Sequence, residues 1–233
     1  MSLKAILFDK DGTLLDFDLT WGAAGYHVMK TMARGDDAAF ERLMVVTHYD
    51  LETRCYRPTS VMIAASLDEI GPVWAEALGR SDHAAVSDDI NTLFMALAPE
   101  YLVQLDDPLA ILSGLAAKGY RLGIATNDSE AAALQQAEIM GLVPHLDFIV
   151  GHDSGHGRKP DPGMVEAFAR HTGLAAHEVA LVGDSTHDLH AARAAGAVAI
   201  AVLSGPASRA ELEPHADHVI ASIADLPALV AGL

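Results

Sequence analysis

Asp9 and Asp11 stand two residues apart in Phe8-Asp9-Lys10-Asp11-Gly12-Thr13. Carboxylates at i and i+2 of an extended backbone point the same way. They are ionised at neutral pH and need no general base to act as nucleophiles. Ahead of them Leu3-Lys4-Ala5-Ile6-Leu7-Phe8 is a short apolar run that reads as a buried strand. Behind them Gly12 allows the chain to turn. The two acids are therefore expected at the mouth of a strand, where open α/β sheets bind their ligands. An acidic turn uses the same residue types, so the hexapeptide alone leaves both readings open. Strand alternation turns the Lys10 side chain away from the two acids.

Three more polar clusters are expected at strand ends or in an adjoining loop. Thr126-Asn127-Asp128-Ser129 closes the apolar run that begins at Tyr120. Lys159-Pro160 follows a polar loop, 151–158, with three glycines and two histidines. Gly183-Asp184-Ser185-Thr186-His187-Asp188 closes Val179-Ala180-Leu181-Val182. Each has a plainer reading: a helix start at Thr126 and Asn127, a solvated lysine, a carboxylate favoured at a helix N-terminus, and surface charge at Asp188. His152 and His156 are four apart and His187 and His190 three apart, but neither pair has the HExxH arrangement of a zinc site.

The elements that must carry these clusters follow from periodicity. From residue 16 to 99 helical spacing dominates, as in Phe40, Leu43 and Met44, or Ile90, Leu93, Phe94 and Leu97. Helix starts are expected at Pro58–Thr59 and at Pro72, and an end at Pro99. The methionines of this stretch read as core filler. After Pro99 helix and strand alternate. Strands are expected over Tyr120–Thr126, Phe148–Val150, Val179–Val182, Val198–Leu203 and Asp217–Ile220, with Gly119, Gly141 and Gly196 ending helices. Such alternation predicts an α/β fold, a doubly wound and mostly parallel sheet with helices on both faces. The expected domains are a core of residues 1–15 and 100–233 and an inserted helical bundle of residues 16–99.

Composition narrows the partners. Lysine plus arginine number 15 against 32 aspartates and glutamates, a net charge of −17 over 233 residues. That sign argues against nucleic acid or an anionic membrane surface, and it means that an anionic substrate needs local cations or a metal. Cys55 is the only cysteine, which excludes an intramolecular disulfide and fits a reducing cytoplasm. No apolar run approaches the ~20 residues of a membrane span, and the N-terminus lacks a signal-peptide pattern.

The four clusters, Asp9-x-Asp11-Gly12-Thr13, Thr126-Asn127, Lys159-Pro160 and Gly183-Asp184-x-x-x-Asp188, resemble in order and placement the haloacid dehalogenase superfamily of hydrolases. The likeness covers essentially the whole chain. It is nearest to the phosphatase branch with a helical cap between the first and second motifs, and the segment from Asp9 to Trp21 is similar to phosphoglycolate-phosphatase-type members. The dehalogenases and phosphonate-cleaving members lack the second aspartate, present here as Asp11. The resemblance implies Mg²⁺ held by the Asp9 carboxylate, the Asp11 backbone carbonyl and the Asp184 carboxylate, with Asp188 a further ligand or an orienting group. It implies Asp9 as nucleophile and Asp11 as acid/base. Thr126, Asn127 and Lys159 would then be donors to the phosphoryl oxygens, a role that suits a hydroxyl, an amide and an ammonium around a transferring phosphoryl group. Arg54 and Arg57, near Tyr49 and Tyr56, are candidates for gripping a carboxylate or hydroxyls of the substrate. The implied substrate is a small phosphorylated metabolite, phosphoglycolate or a sugar phosphate, and the implied protein a monomer or homodimer.

Two other enzyme or binding classes stay open on sequence. A phosphosugar mutase of the same superfamily shares the nucleophile and the cap. A non-catalytic phospho-binding or signalling protein would also combine aspartates, a hydroxyl, a lysine and Mg²⁺, though receiver domains order them differently along the chain and lack a helical insert.

Overall fold

The structure, a computed structural model, describes residues 2–57, 59–63 and 67–233. It divides into two compact units, Met1–Asp16 with Gln104–Leu233, and Phe17–Val103. Among the described residues no helix is long and apolar enough to cross a membrane.

The chain begins with β1 (Ala5–Phe8), every residue of which is buried. The Phe17–Val103 unit follows. It holds α1 (Ala23–Ala33), α2 (Asp37–Val46), a short antiparallel hairpin of β2 (Tyr49–Asp50) and β3 (Cys55–Tyr56), then α3 (Leu67–Ala77) and α4 (His83–Tyr101). Its core joins Val28, Met29, Met32, Leu43, Tyr56, Trp74, Val86 and Ile90, so these methionines do fill a core. The unit is not purely helical, because Tyr49 and Tyr56 pair across the hairpin with their rings 5.2 Å apart edge to face. The Tyr49 hydroxyl donates to the Gly22 carbonyl at 2.9 Å. Two proline expectations fail. Pro72 lies inside α3 and Pro99 inside α4, rather than at a helix start and end. A proline removes one ladder hydrogen bond, but burial of Ile70, Trp74, Ala75 and Ala77 on α3 outweighs that local preference. The helix start expected at Pro58 falls on a residue outside those described.

The remaining unit alternates as the sequence predicts. α5 (Pro108–Ala117) is capped by Asp107, whose side chain accepts from Ala110 N–H at 3.0 Å. Then come β4 (Arg121–Ala125), α6 (Glu130–Ile139), β5 (Phe148–Val150), α7 (Gly163–Thr172), β6 (Val179–Gly183), α8 (Thr186–Ala195), β7 (Val198–Val202), α9 (Arg209–Leu212), β8 (His218–Ile220) and α10 (Leu226–Val230). The six strands form one sheet in the order β5-β4-β1-β6-β7-β8. Every pairing in it is parallel. Ala5 and Leu7 pack with Met164, Val165 and Phe168 of α7 and Leu189 of α8. Ile6 and Phe8 alternate to the other face and are also fully buried. A parallel sheet covered on both faces needs continuous apolar strands, which is why β1 shows no polar alternation.

The order of the strands fixes where a site can lie. After β1 the chain builds outward through β4 and β5 on one side, then returns to the other side of β1 with β6. The crevice at the carboxyl ends of β4, β1 and β6 is thus a topological switch point, the usual ligand position in such sheets.

Candidate active site

Asp9 is the first residue past β1, and its N–H still donates to the Val182 carbonyl at 2.8 Å. Thr126 is the first residue past β4, with its N–H on the Val150 carbonyl at 3.1 Å. Asp184 follows β6 directly. Lys159 arrives from the loop between β5 and α7. The Asn127 amide holds it there, its Nδ2 donating to the Lys159 carbonyl at 3.0 Å and its Oδ1 accepting the Lys159 N–H at 2.9 Å. The Asn127 side chain, expected as a donor to substrate, is thus turned to the Lys159 backbone.

The Lys159 ammonium reaches two carboxylates, Asp9 Oδ1 at 2.5 Å and Asp188 Oδ1 at 2.6 Å. Asp188 sits in the first turn of α8, fully buried. Its other oxygen accepts from Ser185 Oγ at 2.6 Å and from Ser185 N–H at 3.1 Å, so the helix cap also orients the acid. One oxygen from each of Asp9, Asp184 and Asp188 lies within 4.8 Å of the others.

Room for Asp184 is made by missing side chains. A Cβ on Gly12, whose φ is +76°, would stand 2.2 Å from Asp184 Oδ2, and one on Gly205 would stand 1.7 Å from it. A left-handed φ favours glycine in itself, and at both positions an added Cβ would force Asp184 or the loop to shift. The turn after Asp11 is braced by Leu14 N–H on the Lys10 carbonyl at 2.8 Å and by Ser204 Oγ on the Gly12 carbonyl at 2.8 Å.

Lys10 corrects an expectation. β1 ends at Phe8, so strand alternation no longer governs the next residues. The Lys10 side chain is fully buried and its Nζ lies 2.6 Å from Asp11 Oδ2 and 3.2 Å from Asp128 Oδ2. Asp11 and Asp9 therefore pair with different lysines. Arg54 and Arg57 lie in the Phe17–Val103 unit. Arg54 stands over the Tyr26 ring at 5.3 Å, and Arg57 pairs with Asp50 at 3.1 Å.

The electrostatics are those of crowded acids. Burial pushes the Asp9 carboxyl up to about 7; the charges of Asp188 and Asp11 push the same way, and Lys159 opposes them. Burial, then Asp9 and Asp188, hold Asp184 well above the usual carboxylate range. Burial works against the Lys159 ammonium, yet Asp188 and Asp9 outweigh it and raise its pKa. Three buried carboxylates around one ammonium leave an excess of negative charge with several oxygen donors facing inward. Oxygen donors of this kind suit a hard divalent cation such as Mg²⁺, which would offset that excess, so the residues present fit the metal.

The profile of the haloacid dehalogenase-like hydrolase family matches residues 6–202. The chain belongs to that family. It is 33% identical to a phosphoglycolate phosphatase of Rhodospirillum rubrum over 88% of this chain and 81% of that one. It is 32% identical to a phosphoglycolate phosphatase of Mesorhizobium japonicum over 93% of this chain and 90% of the other. In fold it is similar to a HAD phosphatase from Thermococcus onnurineus, with a TM-score of 0.72 at 23% identity over 99% of both chains. It is an enzyme, of the phosphatase class.

Sequence reasoning missed Lys10, Asp128, Ser185 and Gly205. Ser185 was readable, because a serine three residues before an acid is a helix-cap pattern. The others are brought into place by loops whose path no local spacing specifies.

Proposed function

We propose that this chain is a Mg²⁺-dependent phosphatase that hydrolyses a small phosphomonoester through an aspartyl-phosphate on Asp9. One observation carries the reading: the Lys159 ammonium bridges Asp9 and Asp188 at the mouth of the central strand, with an oxygen of Asp184 within 4.8 Å. The phosphoglycolate phosphatases among the relatives make phosphoglycolate the leading substrate, with sugar phosphates next.

Asp9 attacks phosphorus in line with the ester oxygen. The P–O ester bond breaks with its electron pair on the leaving oxygen, and Asp11 gives that oxygen its proton. Asp11 then takes a proton from the attacking water. The acyl–phosphate bond breaks, returning the Asp9 carboxylate and releasing phosphate. Thr126 Oγ1 accepts the Asp128 N–H at 3.1 Å, an arrangement that suits its own proton to a phosphoryl oxygen. Lys159, held by Asn127, opposes the rise that burial imposes on the Asp9 carboxyl and faces the charge that spreads in the transition state. Asp9, Asp184 and Asp188 would hold Mg²⁺ together with the Asp11 backbone carbonyl, Asp188 either as ligand or by orienting the others. When bound, Mg²⁺ supplies the positive charge that lets an anion approach a phosphate dianion. Residues 16–99 are proposed as the cap, with Arg54 and Arg57 as candidates for gripping a carboxylate or hydroxyls of the substrate. The lone cysteine suits a reducing cytoplasm.

Phosphate release from a panel of small phosphomonoesters, with Mg²⁺ or EDTA, tests the reading. Wild type should require Mg²⁺ and Asp9→Asn should be inactive. Turnover that survives Asp9→Asn, or that ignores EDTA, would remove the nucleophile or the metal from the scheme.

A further inference from the structure

Lys10 has no task in the chemistry above, yet it is fully buried. An ammonium is costly to bury unless it is paired. Here the pairing joins two loops at adjacent strand ends: Asp11 follows β1, and Asp128 follows β4. Asp128 is itself tied to the phosphoryl-binding side, because its N–H donates to Thr126 Oγ1 at 3.1 Å and its Oδ1 accepts the Ser129 N–H at 2.7 Å. A chain of contacts thus runs from Asp11 through Lys10 and Asp128 to Thr126. An apolar side chain would fill the same volume without burying a charge, so packing alone does not account for a lysine.

We propose that Lys10 is a positioning residue for proton transfer: by holding Asp11 and Asp128 together it fixes the Asp11 carboxyl group relative to Thr126. The inference rests on the phosphatase reading. It predicts a pattern that general damage to the fold does not produce. A basic alkoxide needs a proton from Asp11 as it leaves, whereas nitrophenolate leaves without one. Attack by water on the aspartyl-phosphate needs Asp11 whichever ester was used.

Rapid-mixing kinetics with Mg²⁺ on phosphoglycolate and p-nitrophenyl phosphate separate the steps for wild type, Lys10→Met, Asp128→Asn and Asp9→Asn. Lys10→Met should slow turnover of phosphoglycolate about 100-fold, the low end of a lost acid–base contribution. With p-nitrophenyl phosphate it should release a burst of about one equivalent of nitrophenolate at the wild-type rate and then turn over slowly, as an accumulating covalent intermediate requires. Asp128→Asn keeps the lysine and its charge, and should show the same split with a smaller loss; it decides the matter if Lys10→Met does not fold. Equal slowing of the first step on both esters, a rise in KM alone, or unchanged rates would overturn the role of Lys10. Inactive Asp9→Asn upholds the underlying reading in each of those cases, whereas an active Asp9→Asn overturns that reading and this inference together.

Discussion

Lys159 Nζ lies 2.5 Å from Asp9 Oδ1, an ion pair closed between residues 150 positions apart. The lysine is anchored by its own backbone through Asn127 rather than by the helix that follows it. Its ammonium is shared with Asp188, so one cation restrains both a proposed nucleophile and a proposed metal-site acid.

Removing that cation should cost rate before it costs affinity. Lys159→Met keeps much of the side-chain length and discards the charge. Loss of one fixed donor to a developing charge lowers kcat by about 10²–10³-fold in comparable sites, and the same range is expected here with a smaller change in KM. A kcat within about threefold of wild type in steady-state assays would place Lys159 outside the transition state.

Without metal, stability should fall as pH rises through the neutral range. The folded state keeps the Asp9 proton up to about pH 7, while an unfolded aspartate loses it near 4. Between those values the folded state binds more protons, so its advantage shrinks with increasing pH, by on the order of a few kcal/mol. Asp184 is shifted in the same direction and adds to the slope. Lys159, raised from an already high value, contributes stability that is lost only in strong alkali and adds no slope here. Melting temperatures in EDTA should therefore drop from pH 5 to pH 8, and less steeply in Asp9→Asn. Saturating Mg²⁺ should flatten the wild-type curve. A melting temperature that climbs with pH in EDTA, equally in both proteins, would contradict the placement of Asp9.

Gly205→Ala should act on metal affinity. The added methyl would stand 1.7 Å from Asp184 Oδ2, so either the carboxylate or the loop must move. Disturbing a ligand's surroundings typically weakens metal binding about 10–100-fold. The Mg²⁺ concentration for half-maximal activity should rise by that order. Gly114→Ala in α5, where a Cβ meets no atom within 4 Å, is the control and should be neutral or slightly stabilising. Equal Mg²⁺ dependence in both variants would argue that Asp184 does not face the cation.

Much of the fold was legible because the strands of a parallel sheet buried on both faces are short unbroken apolar runs. Phe148–Val150 was read without error, and Val179 and Val198 were correctly taken as strand starts. The structure brings Asp9, Asp184, Asp188 and Lys159 together, a grouping that the family resemblance implied and that strand-end placement alone did not specify for Lys159, which lies within a loop. The hairpin of β2 and β3 was not, because two-residue strands show no period. The prolines misled in α3 and α4 because tertiary burial overrode a local rule. Lys10 misled for a different reason. Alternation was extended past the last strand residue, into a turn where it no longer holds.

The position of β1 has a consequence for how the molecule assembles. Ala5 pairs with Arg121 on one side and Val179 on the other, so the first strand synthesised waits for partners made much later. The Phe17–Val103 unit has its own core and nearer contacts, and pairings distant in sequence are slow to close. That unit should gain protection first in pulse-labelled hydrogen exchange during refolding, with full protection of the β1 amides only once β4 and β6 have both docked. Early protection of β1 would reverse that order. Until the β6 strand is in place the chain holds Asp9 without either Asp184 or Asp188 beside it, so a half-folded molecule lacks the proposed metal site.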